Sequence, residues 1–426
     1  MNDLTSRFLP ILDSNQIPDP LLPVFRPFYS GLSIANLPAS ICTWLGADPP
    51  GGAAPPLQED LRNALGQRFR TVILLLVDGF GLDLFLQAID APSAGAWRNL
   101  PPDALLAPLT SVVPSTTATA LTTLWTGVLP AEHGVIGYEL FLKEYSLIAN
   151  MIFHNPASFS EGPGNLRLAG FDPATFLPVE PLAYHLGRAG VQTYAFIQRA
   201  LARSSLSLQL HREARTSPFL NLADLFVSLD ALLDTPSREK RYIYAYWPGL
   251  DDTMHQFGPG DERVQRELAA FSLQWGYFLA DRLRKRRGDT LILLTADHGH
   301  IFTPKNPHFE LRHHPALLEM LTMLPSGEAR LPYVFVRNGR QEDFLGYVDQ
   351  AWGERFRVIP AERFLAAGLF GMGKQHPHLA ERVGDFVVLP DEGAFWYFAN
   401  RENPLLGRHG GLSRAEMLVP LLGLIL

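Results

Sequence analysis

From Thr71 onward the chain alternates short apolar runs with polar turns and longer amphipathic stretches, a rhythm that predicts strands and helices in turn. The runs predict strands at Thr71 to Val77, Leu105 to Val113, Val191 to Ile197, Tyr242 to Tyr246 and Leu291 to Leu294. Runs of this kind, each followed by a helical stretch, predict an α/β protein whose parallel-rich sheet is covered by helices on both faces. Met417 to Leu426 is also apolar but too short to span a membrane, and it reads as a buried terminal strand. Residues 1–68 differ in texture. They are rich in proline and turn residues, including Pro18-Asp19-Pro20 and Pro49-Pro50-Gly51-Gly52, and predict an arm packed on a core formed by residues 69–303 and 406–426. Residues 304–405 interrupt the pattern with strands of their own, expected at Tyr333 to Val336, Phe386 to Leu389 and Phe395 to Phe398, and predict an inserted cap.

Length and composition narrow the picture. A chain of 426 residues with 47% hydrophobic content is ample for one large core with an inserted unit. The formal net charge of -7 argues against binding to a nucleic-acid duplex and leaves an anionic substrate dependent on metals or local arginines. Cys42 is the single cysteine, so no intramolecular disulfide forms. Met1 to Asp19 carries Asp3, Arg7 and Asp13 without a basic segment leading into an apolar stretch. Both features predict a cytoplasmic protein. No apolar run reaches the roughly 18 residues of a membrane span.

The chemistry stands at the ends of the apolar runs. Asp78-Gly79 closes the first, and Asp251-Asp252-Thr253-Met254-His255 follows the run Tyr242 to Tyr246. Asp297-His298-Gly299 closes Leu291 to Leu294, and His409-Gly410-Gly411 lies just before the terminal strand. A hydroxyl-rich turn, Pro114-Ser115-Thr116-Thr117-Ala118-Thr119, follows Leu105 to Val113. Each has a plain alternative. Asp78 and Thr117 are natural helix caps, Asp251 and His255 could form an ion pair on one face of a helical turn, and His409 before two glycines could be a turn residue. Together they are more specific, because sites in open parallel sheets form at the carboxyl ends of the strands, where all these segments would meet. Three carboxylates and three imidazoles are enough for two zinc-like ions.

The set Asp78-Gly79, Pro114-x-x-Thr117 with Thr126-Gly127 and Pro130-x-x-His133-Gly134 behind it, Asp251-x-x-x-His255, Asp297-His298-Gly299 and His409-Gly410-Gly411 resembles the alkaline phosphatase superfamily. Within it, the pattern is most similar to the nucleotide pyrophosphatase/phosphodiesterase and phosphonoacetate hydrolase branch. The resemblance implies an alkaline phosphatase-like fold and two divalent ions, Zn2+ with Mn2+ as the alternative. Asp251, His255 and His409 would hold one ion; Asp78, Asp297, His298 and the Thr117 oxygen would hold the other. Counting back ten residues from Gly127, as the family pattern does, selects Thr117 as the nucleophile over Thr116. The implied reaction is hydrolysis of a phosphodiester or pyrophosphate bond in a small-molecule ester or anhydride, through a phosphothreonine. A phosphomonoesterase, a phosphonate hydrolase or a degenerate binding module are the alternatives. Tyr138 stands where diesterases of the branch carry an asparagine, and Ala118-Thr119-Ala120 replaces their usual Phe-Pro-Asn-His segment. Tyr138 is therefore the candidate substrate contact of the core. His300 reads as supporting a ligand or facing substrate, His313-His314 as a helix start, and Arg199 and Arg203 as substrate contacts or a solvated helix face.

Overall fold

A computed structural model of the chain, which describes residues 1–15, 24–91, 95–157, 164–391, 393–399 and 401–426, gathers the apolar runs into one eight-stranded sheet. Its order is Asn2–Asp3, Leu105–Thr110, Leu418–Ile425, Thr290–Thr295, Thr71–Val77, Lys240–Trp247, Val191–Gln198 and Arg215–Phe219. The expected strands agree with these to within a few residues. The run from Leu105 stops at Thr110 because Ser111 turns its hydroxyl to the carbonyl of Asp297 and the chain leaves for Pro114. Pro18-Asp19-Pro20 lies outside the described residues.

Helices cover both faces, and one strand shows how. In Lys240–Trp247, Tyr242 and Tyr244 meet Trp125 of the helix Thr117–Thr126, with ring centroids 6.1 and 5.1 Å apart. Trp247, on the opposite pleat, stacks on Phe271 of the helix Glu262–Arg284 at 4.9 Å. Side chains alternate across a strand, so a strand sandwiched in this way must be apolar at nearly every position. Thr71–Val77 is buried at all of its seven residues.

Register delivers the site to one edge. Thr71–Val77 runs parallel to Thr290–Thr295 and to Lys240–Trp247, with Leu76 opposite Thr295 and Val77 opposite Trp247. Their next residues, Asp78, Pro248 and Ala296, therefore emerge together. Leu418–Ile425 runs antiparallel to both its neighbours, so its first residue, Leu418, faces Thr110 at this same edge. The residues before Leu418 and those after Thr110 meet there too. A short ribbon pairs Ile301 with Arg408 and so sets His300 beside His409.

The segment 1–68 is partly helical. Helices Thr5–Ser14, Leu37–Leu45 and Glu59–Leu65 bury Phe8, Leu45 and Leu61 in the same core as the sheet, and Asn2–Asp3 pairs with Leu105 and Leu106. A second sheet has the order Phe356–Pro360, Phe386–Pro390, Leu331–Val334, Ser326–Glu328, Glu139–Leu142, Leu147–Asn150 and Asn155–Pro156. Three of its strands thus come from residues 139–156. The strand expected at Phe395 to Phe398 is not formed. Tyr397 makes one isolated bridge to Glu310, while Phe395 and Trp396 are both fully buried among Phe309, Phe344, Trp352 and Phe356. Consecutive large rings sunk in one aromatic cluster cannot alternate between two faces of a sheet. Among the described residues, no helix is long and apolar enough to cross a membrane.

Candidate metal and nucleophile site

Each carboxylate of the site spends one oxygen on the scaffold. Asp297 Oδ1 accepts the backbone N–H groups of Gly79 and His298, both at 3.1 Å, which leaves Oδ2 buried and unpartnered. Asp78 Oδ2 accepts the hydroxyl of Tyr246, which leaves its Oδ1 likewise unpartnered. Both spare oxygens lie 3.4 Å from His298 Nε2. Gly79 lets the third carboxylate approach: its φ is +73°, and an added Cβ would lie 2.7 Å from Met254 Cε and 3.3 Å from Asp251 Oδ1. Asp251 and His255 share one face of the helix Gly249–Phe257, with Asp251 Oδ2 at 3.3 Å from His255 Nε2.

The three imidazoles are oriented alike. Nδ1 of His298 meets the Gly299 carbonyl at 3.1 Å, that of His255 meets Gly407 at 3.0 Å, and that of His409 meets Ser115 at 3.0 Å. A carbonyl only accepts, so each Nδ1 carries the hydrogen and each Nε2 turns a lone pair inward. The Nε2 atoms of His255 and His409 face each other at 3.2 Å, and two lone pairs at that distance repel unless a cation lies between them. Ring nitrogens fixed by carbonyls, facing spare carboxylate oxygens, are what metal-ligating histidines present. Ligand atoms of Asp78, Asp297 and His298 lie within 4.8 Å of one another, as do those of Asp251, His298, His300 and His409. The donor set therefore fits two ions.

Electrostatics follow from crowding like charges out of water. Burial, then Asp297 and Asp251, push the Asp78 carboxyl well above its ordinary range. Burial would also raise Asp251, but His255, His300 and His409 outweigh it and hold that carboxyl well below. Burial and His298 keep His409 far below the usual imidazole range, hence neutral and fit to ligate.

Thr117 is the first residue of its helix, and its hydroxyl lies 3.2 Å from His298 Nε2. Its neighbours turn elsewhere. Ser115 Oγ donates to Gly411 at 2.7 Å, and the Thr116 hydroxyl makes no capping bond to the helix. The structure thus brings together Asp78, Thr117, Asp251, His255, Asp297, His298 and His409. Tyr138 makes no hydrogen bond to this group among the described residues; its N–H donates to Glu328 Oε1 at 2.7 Å. His300 donates from Nε2 to Asp251 Oδ1 at 2.7 Å, and burial lowers its pKa to about 4. His314 takes the N-cap position of the helix Pro315–Met320, as expected: its carbonyl accepts the Leu318 N–H at 3.1 Å, while its ring bonds Tyr347 and the His308 carbonyl. Arg199 and Arg203 are exposed. Sequence reasoning missed Tyr246 and Glu328, although a tyrosine hydroxyl inside an otherwise buried strand is itself a signal that some polar group must receive it.

Two groups of acid and imidazole ligands beside a hydroxyl at a helix start, at the carboxyl edge of a parallel-rich sheet, define a metal-binding phosphoester hydrolase. Residues 72–412 match the sequence profile described as type I phosphodiesterase / nucleotide pyrophosphatase, and the chain belongs to that family. Solved structures share its fold. Murine ectonucleotide pyrophosphatase/phosphodiesterase 5 superposes with a TM-score of 0.58 at 18% identity, over 82% of this chain and 87% of that one. The human protein of the same name gives 0.55 at 16% identity, over 82% and 87%. Phosphonoacetate hydrolase from Sinorhizobium meliloti gives 0.59 at 19% identity, over 84% and 91%. No curated protein sequence matches the chain. The cytoplasmic location expected from the sequence is overturned by the murine and human relatives, which are ectoenzymes. Cys42 is buried in a core large enough to need no disulfide, so a lone thiol says nothing about compartment.

Proposed function

We propose that the chain hydrolyses a phosphodiester or pyrophosphate bond of a small-molecule ester or anhydride, with Thr117 as nucleophile. The observation that supports this is the Thr117 hydroxyl 3.2 Å from His298 Nε2, the atom on which the spare oxygens of Asp78 and Asp297 also converge, with the facing His255 and His409 Nε2 atoms beside them. In this reading Asp251, His255 and His409 hold one ion, while Asp78, Asp297, His298 and the Thr117 oxygen hold the other. Mixed imidazole and carboxylate donors suit zinc first and manganese second. Bound there, the ions would lower the pKa of the threonine hydroxyl and neutralise phosphoryl charge. The Thr117 oxygen attacks phosphorus in line, the bond from phosphorus to the leaving oxygen breaks, and that oxygen departs with a proton. Water then cleaves the phosphothreonine and restores the hydroxyl. The N–H groups opening the Thr117–Thr126 helix meet the phosphoryl oxygens meanwhile.

A murine relative inactivated by a threonine-to-alanine change has been solved with AMP, and the Sinorhizobium enzyme with phosphonoacetate. We take a compact phosphate-bearing molecule as the substrate class here. In this reading the cap of residues 304–405, over the core of 69–303 and 406–426 with its 1–68 arm, sets substrate choice together with Tyr138. Metal analysis and rates on bis-p-nitrophenyl phosphate, p-nitrophenyl phosphate and phosphonoacetate test the reading. Thr117→Ala should abolish turnover and covalent labelling while retaining metal, and Thr116→Ala should be milder. Wild-type diester turnover by Thr117→Ala would overturn the assignment.

A further inference from the structure

Glu416 stands in the short helix Arg414–Met417, directly before the terminal strand, and it reaches two loops of the site at once. Its carbonyl accepts the Gly299 N–H at 2.9 Å, and the Gly299 carbonyl in turn orients His298. Its side chain turns to the other loop, where Oε1 accepts the Gly411 N–H at 2.9 Å. The Gly411 carbonyl takes the Ser115 hydroxyl, and the Ser115 carbonyl takes Nδ1 of His409. Glu416 thus lies behind the groups that aim two of the three imidazoles.

The His409 loop needs such a hold. Gly410 has a φ of +98°, and neither it nor Gly411 carries a side chain, so the backbone after His409 has no side-chain anchor of its own. The approach is close: a Cβ added to Gly411 would lie 2.6 Å from Oε2 and 2.7 Å from Oε1 of Glu416.

Arg330 holds Glu416 in turn. It comes from the second sheet, in the turn between the strands Ser326–Glu328 and Leu331–Val334. Its Nε and Nη2 donate to Oε1 and Oε2 of Glu416 at 3.1 and 3.0 Å, while its Nη1 donates to the carbonyls of Asp391 and Ala394. Ser413 gives Oε2 its N–H at 3.3 Å and its hydroxyl at 2.6 Å. With donors on every side, the position calls for an acceptor-only carboxylate, and the planar guanidinium matches it with two parallel bonds. Both side chains are buried, Arg330 at 2% exposure and Glu416 at 0%.

We propose that Arg330 and Glu416 form a positioning pair that fixes the His409-Gly410-Gly411 loop from the second sheet, and so sets the affinity for the ion that His409 helps to hold. The inference rests on the reading of His409 as a metal ligand. An ion pair taken out of water returns little more in attraction than its desolvation costs, so what this one contributes is direction. Side-chain changes at Glu416 leave its carbonyl on Gly299. The ion assigned to Asp78, Asp297 and His298 therefore keeps its setting when the His409 loop is released.

The test is chelator competition on the zinc-loaded protein, resolving the two ions, with thermal unfolding of every variant alongside. Glu416→Gln keeps the size of the side chain but turns an amide NH2 toward donors. It should weaken the His409 ion about 10- to 100-fold, as loss of an outer partner of a ligand does, and the other ion by no more than about threefold. Arg330→Lys keeps the charge, loses the paired bonds and should act in the same direction. Gly411→Ala leaves both charged residues in place but drives the carboxylate off with its Cβ, and should reproduce the selective loss. Arg282→Lys is the control for destabilisation alone. Arg282 is buried among Asp230, Asp234 and Asp281 and lines a cavity with Thr71 and Thr290, where the central strands begin. That variant should melt earlier with both affinities unchanged. Equal weakening of both ions in Glu416→Gln, or an unchanged His409 ion, overturns the inference. If Glu416→Gln does not fold, Arg330→Lys and Gly411→Ala decide by the same comparison. A His409→Ala protein that keeps both ions would overturn the ligand reading instead, so the two failures are distinguishable.

Discussion

Tyr246→Phe would remove one oxygen from the site and leave the ring in place, stacked 6° from the plane of Tyr244 with centroids 6.5 Å apart. That oxygen donates to Asp78 Oδ2, inside a carboxylate that is buried and has no second partner on Oδ1. A hydrogen bond to a charged acceptor contributes about 1.5–3 kcal/mol net, and at about 1.4 kcal/mol per tenfold this becomes roughly 10- to 100-fold in affinity for the ion that the proposed reading assigns to Asp78. The sign with pH follows from the neighbours. Burial, Asp297 and Asp251 raise the Asp78 carboxyl, whereas the Tyr246 bond lowers it. Removing the hydroxyl therefore lets a proton compete better with the ion, and the loss should grow as pH falls. Chelator competition at a lower and a higher pH, reading the two ions separately, measures it. The expected result is early loss of one ion, with the ion at Asp251 retained. Equal affinity for both ions in the wild-type and Phe proteins, at both pH values, would refute the reasoning.

Tyr138→Asn should shift the ratio of diester to monoester rates with metal content unchanged, because it alters the wall beside Glu328 and not the ligands. Tyr138→Phe should lower the rate if the phenol hydroxyl meets the substrate, and unchanged values in both variants would reduce Tyr138 to packing. Gly299→Ala should destabilise the fold by about 1–3 kcal/mol in urea unfolding, since a Cβ there would collide with the backbone carbonyl of Ala415. Wild-type stability in that variant would show that the loop carrying Ala415 yields freely.

What could be read from the chain was what depends on composition at one place. Thr71–Val77 is buried at every position, so its apolar run announces a central strand. Asp78, Asp297 and His298 stand where such runs end, so their chemistry was legible with them. Features that depend on pairing were hidden. Leu418–Ile425 looks the same whichever way it runs, and only its register shows that it is antiparallel to both neighbours. The strands of residues 139–156 are short and join Ser326–Glu328 through a single pair, Gly327 with Glu139, which no local pattern announces. Glu328 resembles any surface acid until the turn to Leu331 folds it inward. Trp396, fully buried beside Trp352 and Phe356, shows how a cluster can override a strand-like run.

The position of Leu418–Ile425 has a consequence for the order of assembly. It lies between Leu105–Thr110 and Thr290–Thr295, two strands that make no pairing with each other. During synthesis the sheet must remain split along that line until residue 425 has emerged, with two apolar edges exposed to one another and to solvent. His409 enters the site from the segment leading into this strand, so site residues made more than three hundred positions apart come together only when this strand docks. Nascent chains would therefore carry Asp78, Asp251 and Asp297 without their full set of partners, and a ribosome stalled before the final strand would hold a protein with most of its core but neither a closed sheet nor a complete site.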